Sequence, residues 1–210
     1  MISIIDYNAG NLTSVYRAVN HLGFKCKITK DTQAILNSDS IIFPGVGAAG
    51  AAMESLLKLG LDVAIKEAFN LGKPILGICL GTQIIMSYSE ENSVNCIGII
   101  NGKVCAFPFN LQDQDGNRLK IPQMGWNSIE IKKEHPVLSG ICKDDEFYFV
   151  HGYYPRPSDD NDILASTSYG INFPSIIIGG KNLIATQFHP EKSGKCGLKL
   201  LKNFCMWQPC

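Results

Sequence analysis

The chain has 210 residues, of which 45% are hydrophobic and 18% are charged, as in an ordinary globular protein. Its 19 basic and 19 acidic residues balance, without the basic excess that is usual in nucleic-acid-binding proteins. No apolar run is long enough to span a membrane, and the first residues lack the basic and apolar regions of a signal peptide. We therefore expect a single domain over residues 1–210, with no nucleic-acid or membrane partner and a cytoplasmic location.

The chain has eight cysteines, and no two of them have the Cys-x-x-Cys spacing of a zinc site or a redox motif. In a reducing compartment they should be free thiols, most of which pack as small apolar residues. We expect no metal and no cofactor. Only Cys79 lies in a sequence context that indicates chemistry.

Alternating strands and helices are predicted for the first 90 residues, where short apolar runs alternate with amphipathic stretches. The strands are expected at residues 2–5, 24–29, 41–43 and 74–78, and the helices at residues 12–22, 48–59, 61–71 and 83–88. Asn11 is expected to cap the first helix, and Gly72 to end the third. This alternation predicts an α/β fold with a mainly parallel central sheet flanked by helices.

The second half of the chain has shorter strands and more turns. Between residues 97 and 184 the pattern includes a strong turn signal at residues 113–117. We expect an added antiparallel or mixed strand layer there. Residues 194–207 predict a closing helix, whose inward side chains are Leu198, Leu201 and Phe204.

Cys79 lies in the segment Gly77-Ile78-Cys79-Leu80-Gly81, where a predicted strand runs directly into a helix. Small residues two positions before and after the cysteine have the spacing of a nucleophile elbow, with cysteine in place of serine. Such an elbow places the sulfur at a helix N-terminus, where the helix dipole favours the thiolate. The backbone N–H of Leu80 is then a candidate oxyanion donor. From this motif alone, a buried structural cysteine is the alternative.

His189 and Glu191 follow a second apolar strand, in residues 186–191, which read Thr-Gln-Phe-His-Pro-Glu. A cysteine nucleophile needs a base that takes the thiol proton and returns it to the leaving group. A carboxylate two residues after the histidine can orient the imidazole and stabilise its charged form. A lone histidine is more often structural, which is our expectation for the other three, His21, His135 and His151. The elbow favours the catalytic interpretation for His189.

The loop Pro44-Gly45-Val46-Gly47 follows the third predicted strand. Its two glycines allow the peptide near Val46 to turn an N–H toward a developing oxyanion. The alternative is an ordinary loop. Both interpretations place it at the carboxyl end of the sheet, where α/β proteins bind their ligands.

Together these segments resemble the class I, or triad, glutamine amidotransferases. Further segments narrow the resemblance to the glutaminase subunits of imidazole glycerol phosphate synthase. These are Asp6-Tyr7, Gly10-Asn11-Leu12, the loop Pro44-Gly45-Val46-Gly47, Pro122 with Met124-Gly125-Trp126-Asn127, Tyr148-Phe149-Val150-His151, and Glu191-Lys192-Ser193-Gly194. The triad segments are shared by many amidotransferases, whereas residues 124–127 and 148–151 are much more specific. The resemblance spans residues 6–194.

The resemblance implies a flavodoxin-like α/β fold with added strands. It implies that Cys79 is the nucleophile that removes ammonia from glutamine, that His189 is the acid and base, and that Glu191 orients it. The positions that match contacts to the substrate glutamine are Gly47, Gln83 and Tyr153.

The resemblance also implies a partner. The family works as a heterodimer with a (β/α)8-barrel cyclase, which receives ammonia through an internal channel. The cyclase forms imidazole glycerol phosphate and AICAR from PRFAR in histidine biosynthesis. The residues that would face this partner are Met124, Trp126, Tyr148 and Lys192.

Three positions depart from the family pattern. Asn8 stands where glycine is usual, Gln123 where histidine is usual near the expected partner face, and Gly152 where a hydroxyl residue is usual beside the glutamine site. They leave open a paralogous subunit that supplies ammonia for amination of a surface sugar. Two further alternatives are a cysteine hydrolase that acts alone, such as a peptidase, and a non-enzymatic regulator of a cyclase, which would have a broken triad.

Overall fold

An eight-stranded sheet forms the centre of the fold in the computed structural model, which describes residues 1–8 and 12–209. The strands are β1 (Ile2–Ile5), β2 (Cys26–Thr29), β3 (Ser40–Gly45), β4 (Ile75–Cys79), β5 (Met86–Ser89), β6 (Val94–Asn95), β7 (Ile100–Ala106), β8 (Gln123–Ser128), β9 (Glu130–Ile131), β10 (Glu146–His151), β11 (Tyr153–Pro157), β12 (Ile163–Tyr169), β13 (Ile171–Gly179) and β14 (Leu183–Thr186). The helices are α1 (Leu12–His21), α2 (Thr32–Leu36), α3 (Ala49–Leu59), α4 (Leu61–Asn70), α5 (Leu80–Ile84) and α6 (Gly194–Met206). None of these helices is long and apolar enough to cross a membrane. The predicted cap at Asn11 lies outside the described residues.

The central sheet is mostly parallel, with the strand order β2-β1-β3-β4-β14-β13-β12-β9. Within the described residues, the first five of these strands are parallel and the last three are antiparallel to their neighbours. Strands β1, β3, β4 and β14 are buried along their whole length, as strands covered on both faces must be. The predicted α/β fold and its first four strands are therefore confirmed.

Two hydrophobic cores cover the two faces of this sheet. Because side chains alternate along a strand, Ile4 and Leu76 pack on one face with α1 and α6. Ile5 and Ile75 pack on the other face with α3 and α4. Each fully buried isoleucine or leucine contributes about 1.5–3 kcal/mol relative to an exposed one, so both faces of the sheet stabilise the fold.

Two smaller sheets confirm the predicted mixed layer. In the described residues their orders are β11-β7-β5-β6 and β10-β8. Strands β5 and β7 are parallel, and the other pairs are antiparallel. The predicted turn at residues 113–117 also forms, since the N–H of Asp113 donates to the carbonyl of Asn117 at 2.9 Å.

The prediction of a helix at residues 83–88 is wrong. Helix α5 begins earlier, at Leu80, and ends at Ile84, and strand β5 follows it. Tyr88 pairs with Asn95 of β6 and with Lys103 of β7. Pairing with strands later in the chain therefore decides the conformation of this segment.

Helix α2 is a short element that the hydrophobic pattern does not predict. It begins after Asp31, whose side chain accepts from the backbone N–H groups of Gln33 and Ala34. An aspartate that satisfies unpaired N–H groups is a typical helix N-cap. Asp31 was thus the available signal for this helix.

Helix α6 closes the fold as predicted. Leu201 and Phe204 are fully buried, and Leu198 packs partly buried against the same core. Gly197 faces the short 3₁₀ turn Pro190–Lys192, and a Cβ at this position would overlap the carbonyl oxygen of Pro190. The helix therefore packs directly on the segment that follows β14.

Gly197→Ala is expected to destabilise the protein by about 1–3 kcal/mol. Overpacking against Pro190 outweighs the roughly 1 kcal/mol that alanine gains over glycine inside a helix. Urea unfolding of both proteins measures the difference. Lys195→Ala, at an exposed position of the same helix, is the control and should change the free energy of unfolding by under about 0.5 kcal/mol. A Gly197→Ala protein as stable as the wild type would contradict this packing.

Candidate active site

Cys79 occupies a strained turn between β4 and α5. It is the last residue of β4, and its backbone has φ 53° and ψ −105°. A positive φ is uncommon for a residue with a Cβ, and such strain persists where the surrounding structure enforces it. The residue is 6% exposed. The predicted elbow therefore forms at this cysteine.

The two glycines of the elbow are required by close packing. A Cβ on Gly77 would lie 2.8 Å from the Cβ of Ala185 in β14, closer than real Cβ contacts. A Cβ on Gly81 would overlap the carbonyl oxygen of Phe43 in β3. The elbow therefore needs glycine at positions 77 and 81, because β14 and β3 lie too close there to leave room for a side chain.

His189 and Glu191 form a buried pair beyond the end of β14. His189 Nδ1 lies 2.8 Å from Glu191 Oε1, and both side chains are 3% exposed. Because a carboxylate only accepts, we assign the proton to Nδ1, which leaves Nε2 for the thiol and the substrate. Nε2 forms no hydrogen bond of normal geometry with any described residue.

The pKa of His189 is raised despite its burial. Burial alone would lower this pKa, but interactions with the Cys79 sulfur and with the Glu191 carboxylate outweigh it and raise the pKa of His189 to about 9. The imidazolium is thus the favoured form at neutral pH when the cysteine is a thiolate. This is the ion pair that a cysteine nucleophile needs.

Backbone and hydroxyl contacts hold the His189 segment in place. The hydroxyl of Ser193 donates to the carbonyl of His189 at 2.6 Å and accepts from the N–H of Tyr148 at 2.9 Å. The N–H of His189 donates to the carbonyl of Tyr148, also at 2.9 Å. Ser193 had no predicted role, because only the folded structure places it between β10 and the histidine.

Gln83 and Tyr153 are brought together with Cys79 as expected for one site. Gln83 is 4% exposed, and its Nε2 donates to the carbonyl of Tyr153 at 2.9 Å and to Gln187 Oε1 at 3.1 Å. Gln187 Nε2 in turn donates to Cys79 Sγ at 3.7 Å. Gln187 lies within the predicted 186–191 segment, but the local sequence gives no sign of its contact with the sulfur, which was therefore missed.

The loop after β3 lies beside the elbow. Gly45 is the register partner of Cys79 in the parallel β3–β4 pair, so Val46 and Gly47 follow next to the nucleophile. Val46 is 39% exposed. On the other side, Leu80 is the first residue of α5, where a helix leaves its N–H without an intrahelical acceptor. Val46 and Leu80 therefore flank Cys79.

The buried Tyr7 also lies at this loop. Its hydroxyl has no hydrogen-bond partner among residues 1–8 and 12–209, and a Cβ on Gly45 would overlap it. Its ring packs against Phe43 with centroids 5.4 Å apart. No role was assigned to Tyr7 from the sequence. Because the Tyr7 hydroxyl occupies the space of a side chain at position 45, glycine is needed there.

The four residues expected to face a partner lie together. On β8, Met124 is 66% and Trp126 is 53% exposed. Tyr148 pairs with Trp126 across the β8–β10 ladder, and their rings meet edge to face at 6.0 Å. Lys192 Nζ lies 6.0 Å from the centre of the Tyr148 ring. We name this group, Met124, Trp126, Tyr148 and Lys192, the β8–β10 face.

Gln123 was expected near this face, but it does not lie on it. It is 3% exposed and points to the opposite side of β8 from Met124, because neighbouring side chains alternate along a strand. Gly152 has room for a side chain, since a Cβ there would meet only Ile121 Cγ2, at 3.8 Å. Asn8 has φ 64°, a left-handed conformation that asparagine tolerates better than most residues.

Comparison with known proteins identifies the family of this chain. The family model for the glutamine amidotransferase class-I family matches residues 3–207. The chain is 50% identical over 204 residues to the imidazole glycerol phosphate synthase subunit HisH of Nitratidesulfovibrio vulgaris strain Miyazaki F, covering 97% of this chain and 95% of that relative. The HisH subunit of Methylococcus capsulatus is 42% identical, with 99% and 97% covered.

Solved structures share the fold at much lower identity. A crystal structure of a glutamine amidotransferase superposes with a TM-score of 0.75 at 15% identity, covering 98% of this chain and 97% of that one. The structure of PurLQS from Thermotoga maritima has a TM-score of 0.70 at 18% identity, with the same coverage. At such low sequence identity these structural similarities show only the fold. The family is shown by the family model and by the HisH relatives. The chain belongs to the class-I glutamine amidotransferases and, among them, to the family of the HisH subunits of imidazole glycerol phosphate synthase.

Proposed function

We propose that this chain hydrolyses glutamine to glutamate and ammonia, as the glutaminase subunit of an imidazole glycerol phosphate synthase. The observation that carries the proposal is the strained Cys79 elbow beside the buried His189–Glu191 pair. Family membership supports it, since the relatives that cover nearly the whole chain are named as HisH subunits of that enzyme.

In the first half of the reaction, the Cys79 thiolate attacks the side-chain amide carbon of glutamine. The oxyanion forms between the N–H of Leu80 and the N–H near Val46, which flank the nucleophile. The imidazolium of His189 then donates its proton to the departing ammonia. A raised pKa suits His189 to this task, because the ring holds its proton until the leaving group needs it.

In the second half, water hydrolyses the γ-glutamyl thioester with His189 as the general base. Glu191 keeps the ring in one orientation through its 2.8 Å contact with Nδ1 and stabilises the charge that the ring gains. The cycle thus returns Cys79 to a thiolate paired with imidazolium.

Gly47, Gln83 and Tyr153 are proposed to bind the substrate glutamine. Gly47 lies in the loop beside Cys79, and Gln83 contacts the Tyr153 carbonyl one helical turn after the nucleophile. Both hydrogens of the Gln83 amide nitrogen are engaged within the protein. Gln83 would therefore serve the substrate as an acceptor, through its oxygen.

The partner is proposed to be a (β/α)8-barrel cyclase that receives the ammonia and forms imidazole glycerol phosphate and AICAR from PRFAR in histidine biosynthesis. The β8–β10 face supports a heterodimer, because exposed aromatic and methionine side chains are enriched at protein interfaces. Its strand β10 also contacts His189, so the partner would bind beside the source of ammonia. We place the complex in the cytoplasm.

Amination of a surface sugar by a paralogous pair is the second candidate, and it would use the same triad. Three departures, at Asn8, Gln123 and Gly152, had suggested it. Gln123 is buried away from the β8–β10 face, and Gly152 has room for a side chain. Neither position indicates a different partner, whereas the names of the relatives favour the first candidate.

Cys79→Ala is expected to abolish glutamate release from glutamine, because the nucleophile is removed. The wild-type chain, mixed with the histidine-pathway cyclase, should release glutamate much faster when the cyclase's nucleotide substrate is present. A coupled glutamate assay measures both effects. Cys142→Ala, at an exposed cysteine, is the control and should keep full activity. Glutamate release by Cys79→Ala would refute the mechanism, and activity indifferent to cyclase and nucleotide would refute the pathway.

Glu191→Gln is expected to shift the alkaline limit of kcat/KM to lower pH. The carboxylate is one of the groups that raise the pKa of His189 to about 9. Without it the imidazolium that protonates ammonia is lost sooner as the pH rises. The measurement is kcat/KM for glutamine at pH values from below 6.5 to above 9. The control is Glu67→Gln, at an exposed position of α4; an unshifted alkaline limit in Glu191→Gln would contradict the assigned role.

Trp126→Ala is expected to weaken binding to the cyclase about 30-fold, which corresponds to about 2 kcal/mol for a central interface aromatic. Isothermal titration calorimetry measures the affinity. Leu71→Ala removes a side chain that is 62% exposed at the end of α4, outside the β8–β10 face, and should bind like the wild type. Equal affinities for both variants would place the partner on another surface.

A further inference from the structure

The sulfur of Cys79 has a hydrogen-bond donor that the triad does not include. Gln187 Nε2 lies 3.7 Å from Cys79 Sγ, and Gln187 is fully buried. The Cys79 thiol can in turn donate to the carbonyl of Val150, at 3.9 Å. The sulfur thus lies between one acceptor, suited to the neutral thiol, and one donor, suited to the thiolate.

The orientation of the Gln187 amide follows from its neighbours. The carbonyl of Tyr153 can only accept, so Gln83 must present its NH₂ group there. The second hydrogen of that group meets the Gln187 side chain, which must then present its oxygen. The NH₂ group of Gln187 is left to face the sulfur. Three contacts in series therefore determine which end of Gln187 meets the nucleophile.

The start of this series is itself anchored. The carbonyl of Tyr153 also lies 2.8 Å from Nδ1 of His151, a buried histidine whose pKa burial lowers to about 4. His151 is thus neutral at physiological pH, and its Nδ1 donates to the carbonyl. The backbone N–H of Gln187 donates to the carbonyl of Ser175 at 2.9 Å. Hydrogen bonds therefore hold both ends of the series, the Tyr153 carbonyl through His151 and the Gln187 backbone through Ser175.

We propose that Gln187 is a further catalytic residue, whose amide N–H donates to the Cys79 sulfur, and that Gln83 is a positioning residue that orients Gln187. This inference rests on the proposed role of Cys79 as nucleophile. It gives Gln83 a task within the free protein, in addition to any contact with glutamine.

The Gln187 N–H acts at the steps in which the Cys79 sulfur carries negative charge. It favours the thiolate over the thiol before attack, since a hydrogen bond to the charged form stabilises that form. In the second half of the reaction, water adds to the thioester carbonyl and gives a proton to His189. The C–S bond then breaks, and its electron pair returns to sulfur. The N–H of Gln187 stabilises the departing thiolate at this step.

The first test uses Gln187→Met, which keeps a similar side-chain volume and removes the donor. Iodoacetamide alkylation of the Cys79 peptide, followed by mass spectrometry across pH, reports the thiolate population without any glutamine. The midpoint of alkylation should rise by about one pH unit, which corresponds to a tenfold smaller thiolate population below the midpoint. Gln83→Met should also raise the midpoint, but by less, because the Gln187 amide remains and only the group that orients it is removed. Gln33→Met, at an exposed position of α2, should leave it unchanged.

The wild-type protein provides a test that does not depend on a variant folding correctly. The side-chain ¹⁵N–¹H resonances of Gln187 should shift across the midpoint of Cys79 alkylation. The same pH dependence should vanish in Cys79→Ser. A wild-type midpoint in folded Gln187→Met, or Gln187 resonances that do not respond to Cys79, would overturn the inference.

These outcomes are separate from those that test the glutaminase proposal. Loss of glutamate release in Cys79→Ala together with an unchanged midpoint in Gln187→Met would refute the role of Gln187 alone. Glutamate release by Cys79→Ala would refute the nucleophile, whatever the alkylation profiles show.

Discussion

The parallel pairing of β4 with β14 is the constraint on which the site depends. Ala185 is the register partner of Gly77, and the two strands end side by side, so the nucleophile and the histidine emerge at the same edge. Any Cβ at position 77 would force these strands apart. Two segments about a hundred residues apart in the sequence thus meet because one small residue allows close contact between neighbouring strands.

The site is polar but is built into an apolar core, and several of its side chains pair with one another or with backbone groups. Thr82 donates to the carbonyl of Thr186 at 2.6 Å, and Gln83 and Gln187 satisfy each other. Leaving any of these groups unpaired would cost about 1–3 kcal/mol. The same burial would make an isolated imidazolium unfavourable. His189 keeps its proton only because Cys79 and Glu191 lie within reach, so the triad is stable as a unit.

Much of this architecture could be predicted from the sequence, because apolar runs, glycines and the triad spacing are local signals. β1 to β4, α6 and the elbow follow from such signals. The end of α5 and the inward orientation of Gln123 could not be predicted. Strand pairing with later segments decides both, and no local pattern reveals the partner strand. The Gln187 contact was missed for the same reason, since it joins Gln187 to Cys79, a residue 108 positions earlier in the chain.

Strand β10 joins the His189–Glu191 pair to the β8–β10 face. Its inward side chains Phe147 and Phe149 pack on Phe188, the neighbour of His189. Its outward Tyr148 belongs to the exposed face, while the backbone of the same residue holds His189 and Ser193. A molecule bound to the outward face would therefore contact the same residue whose peptide groups position His189, the proposed base. Coupling between partner and active site needs no long path here, because one residue of one strand takes part in both.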